Sequence, residues 1–284
     1  VRSGPDLAAL PPLREALAAE GLRADKRFGQ HFLFDLNLCR KIARLAGDLD
    51  GATVVEVGPG PGGLTRALLE AGARVLAIEA DARFIPILET LASTAPGRLT
   101  VVQADALAAD EPALLRDSDL PQEALVVSNL PYNVGTALFV KWLTGTWRPA
   151  GMTLMFQKEV AQRIVGAPGS DAYGRLSVLA QAHCAVDLVL EAPARAFTPP
   201  PKVDSAVIRA APLPEQPNGR VLAALETVTA AAFGQRRKML RSSLRALGGE
   251  ALCRSAGLRP DARAETIDNS GFLRLAQAWL ERPA

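Results

Sequence analysis

Val54-Val55-Glu56-Val57-Gly58-Pro59-Gly60-Pro61-Gly62-Gly63 is an apolar run that passes directly into a glycine and proline loop. A short β-branched run bounded by Gly and Pro predicts a buried strand, and the loop stands at its carboxyl end. Gly58, Gly60 and Gly63 satisfy the spacing GxGxxG between this strand and a helix predicted over 64–69, which Gly72 closes. The spacing lets backbone approach a ligand closely, in conformations that glycine adopts without steric cost. A plain tight turn meets the same spacing, so the loop needs partners before it means a cofactor.

Outward from the loop, strand and helix signals alternate. A helix is predicted over 38–45, a second strand over 74–78 ending in Glu79, and a helix over 84–91. A third strand covers 99–103 and leads to Asp105, and a fourth covers 124–127 and leads to Asn129. A helix over 135–143 and a fifth strand over 152–156 follow. This alternation predicts an α/β fold with a doubly wound, mostly parallel, Rossmann-like sheet and right-handed crossovers. Ligands in such sheets sit beyond the carboxyl ends of the strands. Residues 193–201 form a proline-rich turn of the same domain, 204–211 alternate as a last strand, and 212–218 read as a linker. Helices over 221–233, 235–247, 251–256 and 271–280 predict a smaller all-helical carboxyl-terminal domain. Three parts result: an amino-terminal helical extension over 1–25, with Leu7, Leu10, Leu13, Leu17 and Leu22 at roughly helical spacing; a sheet domain over 26–211; and a helical domain over 219–284.

The chain of 284 residues is 49 % hydrophobic, which predicts a globular protein with a large core. No run of 18 apolar residues suggests a membrane span. Charges at Asp6, Arg14, Glu15 and Glu20 interrupt the first 25 residues, which do not read as a signal peptide, so a cytoplasmic location is expected. Cys39, Cys184 and Cys253 form no CxxC pair, and His31 and His183 are the only histidines. No metal site is expected, and a Ser-His-Asp hydrolase is poorly supported. Net charge is +2, but from Ser205 onward 12 basic residues face 7 acidic ones. A basic carboxyl-terminal part suits a polyanionic partner, although abundant surface arginine gives the same balance.

Glu79 ends the strand beside the glycine loop, where a carboxylate can accept both hydroxyls of a ribose. Asp105 repeats the arrangement one strand later and can accept from the exocyclic amine of an adenine. NAD and S-adenosylmethionine both fit this much. Pro59 and Pro61 remove amide donors that a pyrophosphate would use, and the acids Glu56, Glu79 and Asp105 suit a cationic sulfonium. Asn129-Leu130-Pro131-Tyr132 supplies two carbonyl acceptors and an aromatic ring. Acceptors converging on an amine aim its lone pair outward, and the ring can stack on the base carrying it. That combination suits methylation of an adenine amine by positioning and electrostatics. An Asx turn beside a core tyrosine is the plainer reading of the same residues.

The chain resembles the ribosomal RNA adenine dimethyltransferase family. The matching segments are Lys26-Arg27-Phe28-Gly29-Gln30-His31-Phe32-Leu33, the glycine loop, Asn129-Leu130-Pro131-Tyr132, Phe156-Gln157-Lys158-Glu159-Val160-Ala161, Phe197-Thr198-Pro199-Pro200-Pro201-Lys202-Val203-Asp204-Ser205 and Phe233-Gly234-Gln235-Arg236-Arg237-Lys238. They run in family order over about 210 of the 284 residues. The resemblance implies a methyltransferase with S-adenosylmethionine as cofactor, acting on the exocyclic amine of two adjacent adenosines near the 3′ end of small-subunit (16S) ribosomal RNA. Its partner would be that RNA within the small subunit or its precursor, and the enzyme a monomer. It further implies that His31, Leu33, Gly58, Gly60, Glu79, Asp105 and Asn129 hold the cofactor. Asn129, Leu130, Pro131 and Tyr132 would orient the target amine, and Phe197 would stack on the flipped base. Family members carry Asn or His at the position of His31, which therefore reads as a packing and backbone contact rather than an acid or base.

RNA would be held by Arg236, Arg237, Lys238, Arg241 and Arg245, with Lys26, Arg27 and Lys202 extending the basic surface. On the predicted helix over 235–247, residues 237, 241 and 245 share one face. Four other functions stay open at this stage: a DNA adenine methyltransferase of the same fold, a large-subunit RNA methyltransferase of the erythromycin-resistance type, an NAD-dependent oxidoreductase, and an RNA-binding assembly factor without catalysis.

Overall fold

The computed structural model describes residues 10–22, 30–235 and 237–282. In chain order the elements are α1 (Leu13–Ala19), β1 (Phe32–Leu33), α2 (Leu36–Leu45), β2 (Thr53–Val57), α3 (Gly63–Glu70), β3 (Arg74–Glu79), α4 (Ile85–Thr94), β4 (Leu99–Gln103) and α5 (Glu111–Asp117). They continue with β5 (Leu125–Asn129), α6 (Gly135–Thr144), β6 (Gly151–Gln157), α7 (Lys158–Val165), α8 (Arg175–His183), β7 (Cys184–Ala192), β8 (Phe197–Thr198) and β9 (Ser205–Pro212). The last helices are α9 (Gly219–Gly234), α10 (Leu240–Ser243), α11 (Gly249–Ser255) and α12 (Asn269–Leu280).

Every residue of β2 is buried, as a strand covered on both faces requires. The main sheet has the order β4-β3-β2-β5-β6-β9-β7. The five strands from β2 to β6 pair in parallel, as expected from the alternating pattern. Strand order reverses between β2 and β5. There β2 pairs with β3 along its whole length, from Thr53↔Arg74 to Val57↔Ile78, but with β5 only at Val54↔Leu125 and Val55↔Val126. Beyond those pairs Ser128 Oγ donates to the Val57 carbonyl at 2.5 Å, satisfying an acceptor that the ladder has released. The separation opens a crevice at the switch point, where this fold class binds ligands.

Packing fixes the walls of that crevice. Leu68 and Leu69 of α3 join Cys39 and Ile42 of α2, Val54 of β2 and Val75 of β3 in one apolar cluster. A leucine buried this completely stabilises the fold by about 1.5–3 kcal/mol. The extension predicted as helical over 1–25 is α-helical at Leu13–Ala19, starting after Pro12; its residues 1–9 and 23–25 lie outside the described residues. Its Leu17 packs with Phe32, Phe84 and Leu88, and Arg66 of α3 donates to the Pro11 carbonyl at 3.0 Å. A second, two-stranded sheet pairs β1 with β8 in antiparallel register, Phe32↔Thr198 and Leu33↔Phe197.

The chain divides into two compact units. One takes Val1–Trp142, Trp147–Ala161 and Leu188–Arg209; the other takes Leu143–Thr146, Gln162–Asp187 and Ala210–Ala284. The second is thus interleaved with the first rather than a contiguous 219–284. The reason is that α8 packs against α9 and α12, while the Tyr173 hydroxyl donates to the Ile267 carbonyl at 2.8 Å.

One predicted helix is corrected. Residues 235–247 are not a single helix: only Leu240–Ser243 is α-helical, followed by a 3-10 turn at Arg245–Leu247. The amides of Leu240 and Arg241 donate to the carbonyls of Ala262 and Pro260 at 2.8 and 2.9 Å, and Met239 bridges Arg263. These tertiary bonds override a sequence rich in helix-forming residues. Arg237 precedes α10, so Arg237, Arg241 and Arg245 do not line one helical face.

Candidate active site

The glycine loop and the Asn129 motif meet at the switch point and bound a crevice of about 320 Å³. Gly58 and Gly60 have φ of +66° and +54°, conformations that other residues rarely adopt. A Cβ on Gly58 would stand 3.0 Å from Pro131 Cγ, and one on Gly60 would stand 3.1 Å from Phe32 Cε1. A Cβ on Gly63 would stand only 2.4 Å from the Leu33 carbonyl oxygen. The loop is therefore wedged between the second motif and β1, with no room for side chains.

Glu79, at the end of β3, is 5 % exposed. Its Oε2 accepts from the Gly60 amide and its Oε1 from the Asp81 amide, both at 2.9 Å. This carboxylate, expected to receive ribose hydroxyls, also fixes the glycine loop. A carboxylate has about four acceptor positions, so two backbone donors leave capacity for a ligand. Burial raises the Glu79 pKa. Glu56, on β2, borders the same crevice and is 2 % exposed. Burial pushes its carboxyl up to about 8 against the pull of the Thr65 hydroxyl, and the Glu79 charge adds to the rise. Glu56 Oε2 has no hydrogen-bond partner among the described residues. An unpartnered buried carboxylate beside a second one favours a ligand that carries positive charge.

Asp105 is exposed in the segment after β4 and borders the crevice. Its Oδ1 accepts from the Leu107 amide at 2.9 Å, a local turn bond that leaves the other oxygen for a ligand. Asn129 Nδ2 donates to the His31 carbonyl at 3.2 Å, which leaves Asn129 Oδ1 as an acceptor. Leu130 and Pro131 border the crevice beside it. Tyr132 is half-buried; its hydroxyl and that of Ser205 are hydrogen-bonded, and its ring centroid lies 5.2 Å from that of His31. Burial raises the Tyr132 pKa, so the phenol stays neutral. His31 Nδ1 donates to the Pro199 carbonyl at 2.8 Å, a backbone contact. Leu33 also borders the crevice.

Phe197 is a correction. It is 2 % exposed, lies in the apolar cluster with Leu33 and Cys39, and does not border the crevice. It faces Leu33 in the β1–β8 register, and its burial in that cluster is what keeps the ring in the core. Among the basic residues, Lys202, Arg237, Lys238, Arg241 and Arg245 are exposed, while Lys26, Arg27 and Arg236 lie outside the described residues. Sequence reasoning missed the work of Ser128, Ser205 and Gln30, whose Nε2 donates to Asp81 Oδ2 at 2.8 Å. Gln30 and Ser205 lie inside quoted motifs, but nothing in spacing shows what a polar side chain will bond.

No metal-binding group of three or more His, Cys, Asp or Glu occurs among the described residues. No helix there is long and apolar enough to cross a membrane.

Comparison with known proteins converges on one family. The model of the family described as ribosomal RNA adenine dimethylase matches residues 21–279. Ribosomal RNA small subunit methyltransferase A of Phenylobacterium zucineum is 64 % identical over 276 residues, covering 97 % of this chain and 95 % of that protein. Its namesake in Caulobacter vibrioides is 65 % identical over 257 residues, covering 90 % and 98 %. Among solved structures, the 23S rRNA methyltransferase ErmE superposes with a TM-score of 0.67 at 29 % identity, covering 88 % of this chain and all of that one. A dimethyladenosine transferase from Plasmodium falciparum gives 0.71 at 24 % identity, covering 86 % and 96 %, a likeness of fold.

Proposed function

The chain belongs to the ribosomal RNA adenine dimethylase family, and from that premise we propose that it dimethylates the exocyclic amines of two adjacent adenosines near the 3′ end of small-subunit ribosomal RNA, during ribosome assembly in the cytoplasm. The observation that carries this reading is the meeting of two sites in one crevice. Glu56, Glu79, Asp105 and the glycine loop suit a cationic nucleoside cofactor, and Asn129 Oδ1 stands at the same opening. The small-subunit substrate is favoured over the large-subunit one because the methyltransferase A relatives are 64–65 % identical and ErmE 29 %.

S-adenosylmethionine, when bound, supplies an electrophilic methyl group on sulfur. Glu79 and Asp105 would hold its ribose and adenine, and Glu56, protonated on its own, would give up its proton to balance the bound sulfonium. Asn129 Oδ1 and the Leu130 carbonyl accept from the target NH₂, aiming the nitrogen lone pair at the methyl group. The amine is a weak nucleophile because its lone pair is delocalised into the ring, and acceptors favouring a pyramidal nitrogen lower the barrier. Tyr132, neutral and braced by Ser205 and His31, offers a stacking face. Extruding the base costs a few kcal/mol, and one base–aromatic stack returns about 1–3 kcal/mol. Lys202, Arg237, Lys238, Arg241 and Arg245 are proposed to grip RNA phosphates, with recognition reading RNA shape as much as sequence.

Titration with S-adenosylmethionine and with NAD tests the cofactor, and binding of NAD alone would remove the reading. Methyl transfer to isolated small and large subunits tests the substrate. Mapping of dimethylated adenosines in cells lacking the protein should show their loss near the 3′ end of small-subunit RNA and nowhere else.

A further inference from the structure

Lys141 on α6 lies outside the residues assigned above, yet its ammonium group is fully committed. Nζ donates to the Ala106 carbonyl at 2.8 Å, the Ala109 carbonyl at 2.6 Å and Glu111 Oε1 at 2.9 Å. An ammonium has three donors, and all three are used. Glu111 is 3 % exposed and its Oε1 also accepts from Trp142 Nε1 at 2.8 Å. The pair is thus compensated, as a buried carboxylate requires.

Two of the three bonds end on the segment between β4 and α5, which has no helix or strand of its own. Asp105 and Leu107 of that segment border the crevice, and so does Leu138, one turn before Lys141 on α6. The same helix begins just past the Asn129 motif, with the Gly135 amide donating to the Pro131 carbonyl at 2.9 Å. One cation therefore ties the helix behind the substrate motif to the loop that presents Asp105.

We propose that Lys141 is a positioning residue: by clamping the Ala106 and Ala109 carbonyls against α6 it sets Asp105 to accept from the exocyclic amine of the cofactor's adenine, and so governs selectivity for an adenosyl group. The proposal rests on reading the crevice as the S-adenosylmethionine site. A methionine at 141 keeps the aliphatic stem but removes the donors, freeing the segment and Asp105 with it. Arginine keeps the charge and returns part of the bonding in a different geometry.

Calorimetric titration with S-adenosylhomocysteine and S-inosylhomocysteine, which carries an oxo group in place of the amine, tests it. The wild-type protein should prefer the adenosyl ligand by about tenfold or more, as expected for a hydrogen bond to a charged acceptor. In K141M the preference should fall below about threefold, and K141R should restore part of it. If K141M does not fold, the double variant K141M/E111Q, which leaves no buried carboxylate without its cation, carries the same readout. A role in stability alone would lower both affinities together; an unchanged ratio in the folded variant overturns the proposal and leaves the cofactor reading standing. Failure of the wild-type protein to bind S-adenosylhomocysteine would instead remove the cofactor reading itself.

Discussion

Asn129 has one way round in the crevice because its amide nitrogen is spent on the His31 carbonyl. Replacing Asn129 or Tyr132 by alanine should lower turnover by about 10²–10³-fold, the cost of removing one such polar contact from a transition state. Cofactor affinity should change far less, and calorimetry beside a methyl-transfer assay separates the two; full activity in both variants would discard the site. Glu56 carries a pH signature. Its carboxyl is raised from the ordinary 4.5 to about 8, so the folded state holds a proton that the unfolded state has released. Its contribution to stability is full below pH 4.5 and is lost as pH rises towards 8. Glu56→Gln should therefore flatten the decline in urea-unfolding stability across that window, and parallel declines in the two proteins would contradict the assignment. Legibility at this scale followed chemistry: Gly58, Glu79, Asp105 and Asn129 could be placed because their types demand strand ends. Phe197 misled because an aromatic beside prolines serves a core as well as it serves a stacking platform, and only its burial in the folded cluster decides.

At the level of elements, α1 braces the glycine loop from behind, with Leu17 packed on Phe32 and Phe32 against Gly60. Leu17→Ala should cost about 2–4 kcal/mol of stability, measured by urea unfolding. A loss below about 0.5 kcal/mol, the range of a surface substitution, would mean that α1 is not seated there in solution. Strands β2 to β5 were legible because Gly, Asp or Asn stands at or within two residues of each strand end, whereas β6 runs into α7 without a breaker and that helix was not legible. The passage from α8 to β7 was not legible either: His183 ends the helix and Cys184 begins the strand with no breaker between them. The two-residue strands β1 and β8 lie below any periodicity. The helix expected over 235–247 failed because bonds to Pro260 and Ala262, distant in sequence, claim the amides at its centre.

For the whole molecule, the sequence divides into a sheet half that could be read in order and a helical part whose membership could not. Segment 162–187 joins the carboxyl-terminal helices through packing that no linker announces. Arg237, Lys238, Arg241 and Arg245 are exposed although their common helix is gone. Neutralising Arg237 and Arg241 should weaken RNA binding and lower the slope of log affinity against log salt by about 1–2. Filter binding across a salt series measures it, and an unaltered slope would take these two residues out of RNA contact.

His31 and Pro199, 168 positions apart, are joined by a single bond beside the β1–β8 pair. A nascent chain halted before Phe197 has translated the whole glycine loop but lacks β8, the partner of the β1 strand against which that loop packs. On the reading proposed for the crevice, capture of the methyl donor waits for the last third of translation, and amino-terminal fragments of this protein that stop before Phe197 should be born blind to it.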